Sequence, residues 1–126
     1  MAEAFRSEFN QKVDRKARVS IPAAFRKVIE SGDPDFPANR RARFVMVYGG
    51  TTRQYLECYT IEGMRRMERR IARMPQGDKR RIYLSRNFVR MSIEIEIDEE
   101  GRIVLPLKGR EKIGLTGETI DAGGAE

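Results

Sequence analysis

The sequence predicts an α+β fold made of two related halves around one core, and three observations carry that prediction. One stretch occurs twice: Asp14-Arg15-Lys16-Ala17-Arg18-Val19-Ser20-Ile21-Pro22-Ala23-Ala24-Phe25-Arg26 and Asp98-Glu99-Glu100-Gly101-Arg102-Ile103-Val104-Leu105-Pro106-Leu107-Lys108-Gly109-Arg110. The copies align without a gap at an offset of 84 residues, and Asp, Arg, Pro and Arg recur at matching places. Short strand patterns of period two stand beside helical patterns of period 3.6. Finally, 126 residues leave each half too small for a stable core of its own, so the halves must share one.

In the first copy a strand over 8–13 leads into a turn at Asp14 to Ala17, then a return strand over 18–21. Pro22 has no backbone donor, so it ends pairing, and its fixed φ suits the start of a helix reaching about Ser31. Gly32 stands in a C-cap position. Asp33-Pro34-Asp35-Phe36-Pro37-Ala38-Asn39 is a loop by composition. Two strands follow, Arg43-Phe44-Val45-Met46-Val47-Tyr48 and Tyr55-Leu56-Glu57-Cys58-Tyr59, joined as a hairpin across Gly49-Gly50-Thr51-Thr52. Thr60 can N-cap a helix over 61–73 whose apolar face holds Ile61, Met64, Ile71 and Met74.

Pro75-Gln76-Gly77 breaks that helix, and Asp78 caps another running to Asn87 or slightly beyond, bringing Ile82 and Phe88 to the core. Ile93-Glu94-Ile95-Glu96-Ile97 alternates as a half-buried strand. Asp98 opens the second turn, where Gly101 supplies a left-handed conformation, and Arg102-Ile103-Val104-Leu105 returns to the Pro106 helix. Glu118-Thr119-Ile120-Asp121 is a short strand at most. The organisation is a first half over 1–60, linking helices over 61–91 and a second half over 92–126. Strands of each half pair with the other around a pseudo-twofold axis, with both turns emerging on the same side.

Composition narrows the function. There are 25 Lys+Arg, 19 Asp+Glu and no His, for a net charge of +6 and a pI near 9.8. Without His there is no Ser-His-Asp or Cys-His pair and no imidazole base or metal ligand, so the chain reads as a non-enzyme without cofactor. Lone Cys58 excludes an internal disulfide and a multi-Cys zinc site and fits a reducing cytosol. Asp98, Glu99 and Glu100 are adjacent on a turn, a poor metal cage, so no metal is expected. The first residues lack the apolar core of a secretory signal and no apolar run could span a bilayer, so a cytoplasmic protein is expected.

Charge is unevenly spread. Residues 1–60 carry 11 basic and 7 acidic side chains, residues 61–91 carry 10 and 3, and residues 92–126 carry 4 and 9. That asymmetry points to a polyanion partner, a head-to-tail protein contact, or both. The first turn, with Arg15, Lys16 and Arg18 on an exposed tip, is the main DNA-binding candidate, because Arg offers forked donors to phosphate or guanine. Asp14 is assigned to stabilising the turn by pairing with Arg18, which can serve both roles. Asp98 and Gly101 hold the second turn, where Glu99 and Glu100 repel phosphate and lower its contribution. Arg66, Arg69, Arg70 and Arg73 share a helix face. Three readings stay open for that face: a phosphate-contacting surface, an oligomer contact against Glu94 and Glu96 of a neighbour, or a solvated face. Tyr48, Tyr55, Tyr59 and Cys58 are expected to pack in the mid-chain hairpin.

The two Asp-x-x-x-Arg-x-x-x-Pro units, their spacing of 84 residues and the pair of helices between them resemble the MraZ family, whose halves each have the swapped-hairpin fold of the SpoVT-AbrB class. The resemblance covers essentially the whole chain. It implies a duplicated swapped-hairpin β-barrel core with short helices and two pseudo-twofold related halves. It further implies a bacterial transcription regulator, expected to repress, that assembles as a ring-like homo-oligomer. Such proteins bind short direct repeats of double-stranded DNA upstream of the division and cell-wall gene cluster, including their own gene. No membrane and no small-molecule substrate are implied, and the expected location is the nucleoid. The resemblance places Arg102 on the DNA-facing side.

Two departures stand out. Ala17 occupies a position where the family usually has Gly, and because relatives continue past the equivalent of Glu126 with a further strand and helix, the second half is expected to be without its last strand and helix. An antitoxin-like or scaffolding module of the same fold is the alternative function. Antitoxins of this class have one hairpin copy and a long flexible tail, so the two copies here favour the regulator.

Overall fold

The computed structural model describes residues 14–50 and 56–112. The chain order is β1 (Arg18–Ser20), α1 (Ala23–Ser31), β2 (Arg43–Val47), β3 (Glu57–Thr60), α2 (Ile61–Ala72) and α3 (Lys79–Leu84). A π-helical turn (Ser85–Val89) extends α3, followed by β4 (Ser92–Glu96), β5 (Arg102–Val104) and α4 (Leu107–Lys112). The expected strands over 8–13 and 118–121, and Tyr55, lie outside the described residues.

The strands form two antiparallel sheets, β1-β5 and β3-β2-β4, each joining sequence from early and late in the chain. A closed barrel was expected, but among the described residues no ladder joins the two sheets. β1 and β5 are three residues long and are stopped by Pro22 and Pro106, which cannot donate to a neighbouring strand. The second copy also departs from a simple hairpin. β4 and β5 flank its turn, yet β4 pairs with β2 and β5 with β1.

β2 is buried on both faces, and its period-two alternation separates two cores. Phe44 and Met46 enter a cluster with Val19, Ile21, Ile95, Ile97, Ile103 and Leu105, so the β1-β5 sheet packs across this face. Val45 and Val47 enter the other with Tyr59, Ile61, Met64, Ile71 and Phe88. Phe25, Ile93 and Cys58 pack at the edge of the first cluster, and burial pushes the Cys58 thiol up to about 12. Tyr59 and Phe88 meet edge to face with centroids 5.0 Å apart.

Ile82 does not reach the core: it is 41% exposed, whereas Phe88 is buried. Six helical residues turn about 240°, so the two cannot share a face. Leu84, one turn before Phe88, packs there instead. Gly32 closes α1, but at φ −95° it is not in the left-handed region. Space is what requires it, since a Cβ there would lie 2.5 Å from the Thr60 Cβ.

Thr60 caps α2 as the sequence predicts, its hydroxyl accepting from the Gly63 N–H at 2.9 Å. Thr60→Ala is expected to lower stability by about 1 kcal/mol, the usual worth of such a cap, read as a shift of the urea midpoint. An unchanged midpoint would show that the cap contributes nothing.

Candidate nucleic-acid interface

Each repeated turn is built on its aspartate. Asp14 Oδ1 accepts from the backbone N–H groups of Lys16 and Arg18, both at 2.9 Å, and Asp98 Oδ1 accepts from those of Glu100 at 2.8 Å and Arg102 at 2.9 Å. The backbone bonds repeat as well: Asp14 N to Arg18 O and Ala17 N to Asp14 O are matched by Asp98 N to Arg102 O and Gly101 N to Asp98 O. These donors, the Arg18 and Arg102 backbone N–H first among them, hold both carboxyls below the ordinary aspartate value. Each aspartate thus accepts two backbone hydrogen bonds from within its own turn.

The fourth residue of each turn is left-handed, Ala17 at φ 61° and Gly101 at φ 77°. For Ala this costs roughly 1 kcal/mol. The Ala17 side chain is buried in the first core, and burying a methyl is worth about 0.8 kcal/mol, which offsets most of the strain.

The β1-β5 register makes a local dyad. Val19 faces its repeat equivalent Ile103, with Arg18 opposite Val104 and Ser20 opposite Arg102. Two further bonds obey the same dyad, Leu105 N to Ala17 O at 2.7 Å and Ile21 N to Gly101 O at 2.9 Å. Val19 and Ile103 point into the core, so strand alternation turns Arg18, Ser20, Arg102 and Val104 outward on one face of a two-stranded ribbon. The turns lie at opposite ends of the ribbon. Arg18 and Arg102 thus share a face.

Charges at the two ends differ. Arg15 and Lys16 are exposed and their side chains have no partner among the described residues. Arg18 Nε donates to Asp14 Oδ2 at 2.6 Å. At the second end Arg102 Nη2 is held by Glu100, while its buried Nε makes no hydrogen bond. A residue missed from sequence is Arg26, whose guanidinium packs so closely on Gly101 that any side chain there would displace it. The signal was present: Arg26 and Arg110 are the last matched pair of the repeat.

The helix arginines lie apart from this ribbon in sequence and element. Arg69, Arg70 and Arg73 are exposed on or just after α2, Arg66 is half-buried, and Arg65 pairs with Glu62 at 3.5 Å. Glu94 and Glu96 are exposed on β4, and Glu94 already accepts from Arg43 of the same chain at 3.1 Å. No helix among the described residues is long and apolar enough to cross a membrane.

Fold and site together define a small α+β protein in which a duplicated Asp-anchored turn brings two copies of one strand into a single arginine-bearing ribbon. The chain is 58% identical over 123 residues to the transcriptional regulator MraZ of Cereibacter sphaeroides, covering 98% of this chain and 72% of that protein. It is 47% identical to the same-named protein of Ruegeria pomeroyi, over 95% of this chain and 72% of the relative. Identity is 31% to that of Thermoanaerobacter pseudethanolicus, over 92% and 72%. No protein-family model matches. On these relatives, the chain belongs to the MraZ family.

Proposed function

We propose that the chain is a sequence-specific DNA-binding transcription regulator, and that the β1-β5 ribbon is its contact surface. One observation carries the reading: the register that sets Arg18 and Arg102 on one outward face, with exposed Arg15 and Lys16 at one end of it. A two-stranded ribbon fits the major groove, and arginine can read guanine or clamp phosphate. The naming of the relatives as transcriptional regulators supports the same reading. The two halves, 1–60 and 92–126, are read as interleaved swapped hairpins linked by 61–91, in a cytoplasmic, nucleoid-associated homo-oligomeric ring. Exposed Arg69, Arg70 and Arg73, with Arg66, face Glu94 and Glu96 of a neighbour in that assembly. The ring represses the division and cell-wall gene cluster, including its own gene, through tandem short promoter repeats.

The test is binding of the full chain to the promoter fragment of its own gene and to a scrambled fragment, across a salt series. Arg15→Ala with Arg18→Ala is expected to weaken binding by about 10- to 100-fold and to reduce the salt slope by about 2. Arg15→Ala alone isolates charge, because Arg18 also holds the turn. Equal affinity for both fragments would refute sequence specificity, and an unaffected double variant would refute the ribbon as the contact.

A further inference from the structure

The local dyad of the ribbon is geometrically close and electrostatically broken. Positions equivalent under the 84-residue offset make the same backbone bonds, so a duplex approaching the outward face meets two turns of the same shape. At one tip those positions hold Arg15 and Lys16, at the other Glu99 and Glu100. Both glutamates point outward, with side chains 85% and 71% exposed. The nearest cation to Glu99 is Arg41 at 3.9 Å, while Glu100 holds Arg102. Glu96 of β4, two residues before Asp98, is also exposed, whereas Glu94 is held by Arg43.

Screening does not erase such a contrast. The Debye length is about 10 Å at 0.1 M salt, and the paired stretch from Ala17 to Ile21 alone spans about 13 Å with the tips beyond it. Each tip thus acts on the phosphates nearest to it, and the two do not average. Phosphates drawn to Arg15 and Lys16 therefore bring the other end of the face within range of two carboxylates. We infer that Glu99 and Glu100 are determinants of recognition: they fix a single orientation of the chain on the duplex and hold its affinity below what the ribbon geometry allows. This rests on the reading of the ribbon as the DNA contact. Like charge placed against the wrong end discriminates as effectively as new attraction at the right one.

The test begins with the short duplex that the full chain selects from a random-sequence library. Glu99→Gln with Glu100→Gln is expected to bind it about three- to tenfold tighter in low salt, the difference closing as salt is raised. Orientation is read with an iron chelate tethered at Asn39→Cys in a Cys58→Ser chain, since Asn39 bonds the carbonyl of Arg41, the neighbour of Glu99. Cleavage is expected on one flank of the duplex only. Exchanging the tips, with Arg15→Glu, Lys16→Glu, Glu99→Arg and Glu100→Lys, keeps the net charge and is expected to move cleavage to the other flank.

Cleavage of both flanks by the parent chain, or a Gln variant with unchanged affinity and salt slope, would overturn the inference and leave DNA binding standing. A parent chain that selects no sequence would overturn the function reading itself. All four tip residues are exposed, and circular dichroism of each variant confirms that any change is one of binding.

Discussion

Asp33→Ala is expected to lower the unfolding free energy by about 3 kcal/mol, a large part of the roughly 5–15 kcal/mol typical of such domains. The Asp33 side chain is fully buried and meets Arg43, whose own side chain is 18% exposed. Its Oδ2 accepts from the Arg43 backbone N–H at 2.9 Å and from Nε at 3.3 Å, and its Oδ1 accepts from Nη2 at 2.9 Å and from the Asp35 N–H at 3.0 Å. Arg43 begins β2, the central strand, so this carboxylate ties the loop after α1 to the middle of the sheet. Deleting it strands two backbone donors, each costing about 1 kcal/mol or more, and loosens a buried cation. Arg43 keeps exposed Asp35 at 2.7 Å and Glu94 at 3.1 Å, which limits the damage. Urea unfolding measures the difference, and a loss below about 1 kcal/mol would show that the pair is dispensable.

Acid should weaken the same tie. Burial raises the Asp33 carboxyl, but the Arg43 side chain, the Asp35 and Arg43 N–H groups and the Arg43 charge outweigh it and hold it below the ordinary value. A carboxyl lowered by folding contributes its stability in full above its unfolded value, about 3.9, and loses it as pH falls through the folded value. Asp14, Asp78 and Asp98 shift the same way. With no histidine in the chain, stability is expected to stay nearly level between pH 5 and 8 and to fall below about pH 4. Asp33→Asn should flatten part of that acid loss. An equally steep profile in the Asn variant would remove Asp33 from the account.

Asp33 also shows what the sequence could not display. It lies in a loop rich in Pro and Asp, where carboxylates ordinarily face water, and its burial depends on Arg43 ten residues later. The repeated turns were legible because their chemistry is local: Asp to Arg four residues on closes the loop wherever the chain goes. Alternation likewise told which residues of Ile93-Glu94-Ile95-Glu96-Ile97 face inward, with Ile95 and Ile97 buried. Partner strands were not legible, because period two specifies a face and not a neighbour. The expected exchange of strands between the halves therefore named no partners, and β4 of the second half lies on β2 of the first. The outward meeting of Arg18 and Arg102 follows from the same long-range pairing, so the candidate site was visible as residues and not as a surface.

The close packing beneath the π-helical turn predicts the other large effect. Gly49 follows the end of β2, and a Cβ there would lie 2.7 Å from the Asn87 carbonyl carbon and closer still to its oxygen. Gly49 is not at positive φ, so the demand is for space and not for an unusual backbone. The obstacle is main chain inside Ser85–Val89, the turn that carries Phe88 into the second core against Tyr59. Neither side can yield cheaply. The bond from Tyr48 N to Met91 O at 2.9 Å holds the two segments together on one side, and Phe88 fills the core on the other. Gly49→Ala is therefore expected to cost about 3 kcal/mol or more, at the upper end of overpacking penalties. The Tyr59–Phe88 contact should open, visible as loss of their mutual ring-proton contacts by NMR. Gly77→Ala is the control: nothing lies within 4 Å of a Cβ there, and its effect should stay within about 0.5 kcal/mol. Equal urea midpoints for the two variants would refute the packing of β2 on the π-helical turn.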